Sequence, residues 1–122
     1  MGDRANFGFK NRKGDTVFLY GHWAGHRMLE NLADAVQAAE SRWSDESYAT
    51  RISISKLIGD EWTSTTGWGI TVNELADNEH KVPIIDWTNK TFTLMEEDLQ
   101  TVVFSMDLDK FVEKYSSQLI MV

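Results

Sequence analysis

Among side chains that titrate near neutral pH, the 122-residue chain holds three histidines, and two lie in Tyr20-Gly21-His22-Trp23-Ala24-Gly25-His26. A spacing of four is what two metal ligands on one helical face require. The zinc-protease pattern also needs a glutamate directly after the first histidine to act as general base, and Trp23 stands there. Gly25 moreover suggests a helix beginning only at His26, which breaks the shared face. A strand-to-helix turn carrying two polar histidines is therefore the better reading, and no metal or other cofactor is expected.

That turn has other chemistry open to it. Gly21 and Gly25 permit tight bending or close approach of a ligand. A strand end, a glycine turn and a helix N-terminus together make a generic anion site, with His22 as a titratable donor and Trp23 as a stacking face. The plainer alternative has Trp23 capping the core and His22 bonding a backbone carbonyl. Gly67-Trp68-Gly69 is a fragment of a phosphate-loop fingerprint without its third glycine or its helix, and reads better as a glycine-flanked aromatic entering a strand. Asp77-Asn78-Glu79-His80 clusters two acids with a histidine, suited to a general base or to a solvated turn. Five tryptophans (Trp23, Trp43, Trp62, Trp68, Trp87) should mostly serve the core or its rim, with Trp62 the most exposed. No Gly-x-Ser-x-Gly elbow and no Walker sequence occurs.

The elements that must position these residues follow from hydrophobic period. Ala5–Lys10 and Thr16–Tyr20 flank Asn11-Arg12-Lys13-Gly14-Asp15 and predict an antiparallel hairpin. Met28, Leu29, Leu32, Ala33, Val36 and Ala39 recur at helical spacing, predicting a helix from near Gly25 to near Ser41. Ser44 is placed to cap a second helix ending at Gly59, although Arg51-Ile52-Ser53-Ile54-Ser55 alternates like a strand. Strands are predicted at 69–72, 82–87, 91–95 and 101–105, with Thr88-Asn89-Lys90 a hairpin loop. Asp107 would cap a last helix with Leu108, Phe111, Val112 and Tyr115 on one face. The expected order is ββ-α-α-ββββ-α: an α+β fold in a single domain over residues 1–122, with a mostly antiparallel sheet and about three helices packed on it.

Composition narrows the class. At 42% hydrophobic and 25% charged, the chain is neither disordered nor low-complexity. No apolar run approaches the roughly 18 residues a membrane helix needs. Met1–Asn6 offers no apolar leader, and Asn6 stands where a myristoylation signal wants Ser or Thr. Without cysteine there is no disulfide, thiolate catalysis or cysteine-ligated zinc, and a cytoplasmic location is the default expectation. The net charge of −7 divides into +2 over residues 1–30 and −9 over the rest. An acidic body disfavours direct nucleic-acid binding and leaves simple solubility or imitation of a polyanion.

Gly2-Asp3-Arg4-Ala5, Tyr20-Gly21-His22-Trp23-Ala24-Gly25, Gly67-Trp68-Gly69-Ile70 and Asp77-Asn78 resemble a family of small uncharacterised proteins of actinobacterial phages and, more distantly, bacteria. Distant members carry Leu-His-Trp-Asn-Gly in the second segment, so Gly21 and Ala24 depart from that pattern while His22, Trp23 and Gly25 match it. The resemblance implies a phage accessory protein that binds and blocks a host component or sequesters a host signal. The expected surface comprises Arg4, His22, Trp23, Arg51, Trp68, Asp77 and His80, with the arginines pairing to a host protein or small anionic ligand. Self-association is left open. The runner-up is a hydrolase using His22 or His80 with Asp77; the third is an acidic virion component or nucleic-acid mimic, with Glu96, Glu97, Asp98, Asp107 and Asp109 spread over one face.

Overall fold

The computed structural model describes residues 2–117. Strands β1 (Ala5–Lys10) and β2 (Thr16–Gly21) form the expected hairpin. Asn11 organises its turn, its side-chain oxygen accepting from the amides of Lys13 and Asp15. Helices α1 (Met28–Ala38) and α2 (Glu46–Ile58) follow, then strands β3 (Trp68–Val72), β4 (Val82–Asp86), β5 (Thr91–Met95) and β6 (Val102–Asp107), and helix α3 (Leu108–Tyr115). Two short 3-10 turns, Glu40–Arg42 and Gly59–Thr63, interrupt the order expected from sequence.

The α+β class and the three helices stand, but the sheet is mixed. Its six strands lie in the order β3-β2-β1-β4-β5-β6, and the central pair β1–β4 is parallel, with Gly8 opposite Ile84. The physical reason is the return path of residues 73–81. They lead from the far end of β3 back to the end where β1 begins, so β4 enters the sheet in the same direction as β1. Hairpin reasoning treats only strands that are neighbours in sequence, and this pairing joins strands that are not.

All three helices pack on one face. Phe7, Phe9, Leu19, Ile85, Phe92 and Leu94 meet Leu32, Ala33, Val36, Ala49, Leu108 and Phe111 in one core. Phe92 and Phe111 stack at 4.0 Å between ring centres. α1 is shorter at its start than the periodicity suggests. Arg27 adopts a left-handed φ of 55°, so residues 22–27 stay outside the helix as turns. The alternation in 51–55 is overridden, because α2 buries Ala49 and Ser53 against its neighbours in helical register. Asp45 rather than Ser44 precedes it. No helix among the described residues is long and apolar enough to cross a membrane.

Candidate functional site

The start of β1, the end of β2, the start of β3 and the loop before β4 meet at one end of the sheet. Arg4 and the segments Tyr20–His26, Gly67–Gly69 and Asp77–His80 singled out from sequence arrive there. The junction is built on the backbone of Asp3, whose N–H donates to the His22 carbonyl and whose carbonyl accepts from Gly25 N–H, each at 2.8 Å. On its other side Arg4 N–H donates to Glu79 Oε1 at 2.8 Å, and Glu79 N–H returns a bond to the Arg4 carbonyl at 2.9 Å. Residues 3 and 4 thus lie between the glycine turn and the 77–80 loop and tie both down.

Side chains repeat the pattern. His80 Nε2 donates to Asp3 Oδ1 at 2.5 Å, and the pair sits directly against Gly25. Any Cβ at position 25 would collide with the imidazole and the carboxylate, so the glycine is required by close approach. Gly21 is required likewise, since a Cβ there would strike Ala24 and the Trp68 ring. The Arg4 guanidinium faces Glu79 at 3.5 Å and Asp77 at 3.7 Å. Asn6, fully buried, donates from Nδ2 to the Asp77 carbonyl at 3.0 Å and to Asn78 Oδ1 at 3.1 Å, and accepts from Ala76 N–H. The Asn78 side chain in turn donates to the His80 carbonyl.

The aromatic half of the site is more open. Trp23 is 61% exposed and stands edge-on to the His22 ring, 4.6 Å between centres. Its ring lies over Gly67, whose φ of +95° also suits a residue without a Cβ. His22 Nδ1 shares a hydrogen bond of 2.8 Å with the Tyr20 hydroxyl. Trp68 is half-buried against the core, its indole N–H donating to Glu61 Oε1 at 2.9 Å.

Six of the seven residues expected at a site therefore come to one end of the sheet: Arg4, His22, Trp23, Trp68, Asp77 and His80. Arg51 does not. It lies on α2, bonded to Ser55 and lining a groove with Phe9, Ile54 and Ile70 toward the other end of β2. Arg4 and Arg51 cannot jointly clasp one small anion, and Arg4 already faces two carboxylates. Trp23 does not cap the core, because it points to solvent. The pairing expected for a hydrolase, His22 or His80 with Asp77, is not what the contacts give: His80 bonds Asp3, His22 bonds Tyr20, and Asp77 faces Arg4. His22 and His26 share no helical face, as α1 begins after both. Among the described residues no group of three or more His, Asp or Glu is placed to hold a metal ion. The acids of the mimic reading lie in two groups. Glu96, Glu97 and Asp98 occupy the β5–β6 turn, whereas Asp107 and Asp109 lie at the opposite end of β6.

The expected surface left out Asp3, Tyr20, Gly67 and Glu79, although the segments singled out from sequence contain them, and Asn6, which no such segment contains. A polar Asn6 between Ala5 and Phe7, in an otherwise apolar strand, was the available signal. The fold and this junction define an α+β domain presenting an aromatic and ionic surface at one end of its sheet. Comparison with protein-family models, curated proteins and solved structures finds no match.

Proposed function

We propose that the protein is a non-catalytic binding protein whose contact surface is centred on Trp23, and that its partner is a host protein rather than a small anion. The observation that carries this reading is an exposed tryptophan on a rigid support. Its ring leans on His22 and Gly67, and the backbone beneath is pinned through Asp3. Exposed, pre-organised aromatics are the usual anchors of protein interfaces, because they bury much area at small entropic cost. The ionic neighbours favour a protein over an anion: Asp3, Asp77 and Glu79 already surround Arg4 and His80, leaving no surplus positive charge. The family resemblance supports, as part of the same proposal, a phage accessory role in which the partner is blocked or sequestered.

The test is comparative capture. Wild-type, Trp23→Ala and His80→Ala chains, each first shown to melt near the parent, are immobilised and exposed to host extract, and bound proteins are quantified. A partner retained by wild type and by His80→Ala should be lost with Trp23→Ala, which should weaken affinity by about 2 kcal/mol or more. Identical capture by all three chains would make the turn a structural feature alone.

A further inference from the structure

We infer that the free edge of β3 pairs with the β3 edge of a second copy, joining two sheets into one of twelve strands. The inference is independent of the Trp23 surface and rests on hydrogen-bond accounting. His22 N–H donates to the Gly67 carbonyl and Asn73 N–H donates to the Thr16 carbonyl, both at 2.8 Å, at the two ends of the β2–β3 ladder. Between these ends antiparallel bonding alternates. Residues 67, 69, 71 and 73 therefore bond to β2, and Trp68, Ile70 and Val72 turn their N–H and C=O groups outward.

An antiparallel pairing centred on Ile70 satisfies all of them. Ile70 faces Ile70 of the second copy, and each Trp68 faces a Val72. Every outward donor then meets an outward acceptor, so the edge is self-complementary about Ile70. Side chains agree: Ile70 and Val72 are 59% and 58% exposed and lie on the same sheet face, so copies would set apolar against apolar. Two usual protections of an edge strand are missing from β3. Trp68–Val72 contains no charge and no proline. The opposite edge differs, for β6 ends in Asp107 and its pairing with β5 is bulged near Leu94.

The area sets the strength. A five-residue edge with Ile70 and Val72 offers about a few hundred Å² per copy, below the roughly 800 Å² of a standard interface. A reversible dimer with a Kd in the range of about 1 to about 100 µM is expected. Because each copy carries −7 and Trp68–Val72 itself carries no charge, added salt should strengthen the dimer by screening repulsion.

Sedimentation velocity over a concentration series tests this, together with amide exchange by NMR. Wild type should pass from one copy to two, and the amides of Trp68, Ile70 and Val72 should exchange more slowly at high concentration while Gly69 and Thr71 do not change. Ile70→Lys and, independently, Val72→Lys should hold the chain monomeric with a near-parental melt, whereas Val103→Lys on β6 should leave the dimer intact. A monomer at every concentration, or a dimer that survives both β3 substitutions or responds only to Val103→Lys, overturns the proposal. Loss of host-protein capture by Trp23→Ala with an intact dimer would bear on the other reading alone.

Discussion

Gly25 shows how much a single position can owe to residues far away in sequence. It lies against His80 and Asp3, and their hydrogen bond occupies the space a side chain would take. Gly25→Ala is expected to destabilise the fold by about 1–3 kcal/mol, the usual cost of overpacking. Removing the imidazole should relieve part of the clash, so Gly25→Ala should cost less in a His80→Ala background. Urea denaturation of the four chains in the cycle measures this, and strictly additive losses would show that the pair does not dictate the glycine. Asp98 provides a second case. Backbone N–H donation from Thr101 and then Gln100, with the Thr101 hydroxyl, favours its ionised form and holds its pKa below the ordinary 3.8. A lowered folded-state pKa means that the turn's stabilisation is present above the unfolded value and lost as pH falls through the folded one. Carboxyl-carbon NMR should therefore place the Asp98 midpoint below 3.8, with the Thr101 amide losing protection only once that midpoint is passed. A midpoint at or above 3.8 would contradict the assignment.

At the scale of elements, α1 is the helix whose inward face was most legible. Leu32, Ala33 and Val36 are fully buried, where their three- and four-residue spacing places them. Leu32→Ala should cost about 2–5 kcal/mol, since the sheet beneath cannot collapse into the space. An unchanged urea midpoint would mean that the contact with the sheet carries no stability. The ends of α1 were less legible than its face. Periodicity extends through residues 26–41, but Arg27 turns left-handed and the 3-10 turn Glu40–Arg42 replaces the last stretch. Side-chain spacing reports which face is apolar, whereas helix ends depend on where backbone groups find partners. At the N-terminal end, the Gly25 N–H is spent on Asp3. α2 makes the complementary point, because an alternating sequence became helical once α1 offered a face for Ala49 and Ser53.

For the whole molecule, the exclusions drawn from composition follow directly from residue chemistry: a chain without cysteine has no thiolate or disulfide whatever its fold. The α+β class and the helices were also legible, because hydrophobic period is a local property and each element must bury its own apolar side. Only the tertiary structure decided which elements touch. It made β1 and β4 parallel, and it gave Arg4 two carboxylates from residues more than seventy positions away. It paired His80 with Asp3 and left Arg51 on a separate groove. A side chain's type states what it can bond, but its partner is set by the path of loops such as 73–81, which carry no period to read. Four sequence segments that looked unrelated came to one end of the sheet for that reason, since the order of strands in space brought the start of β1, the end of β2 and the starts of β3 and β4 together.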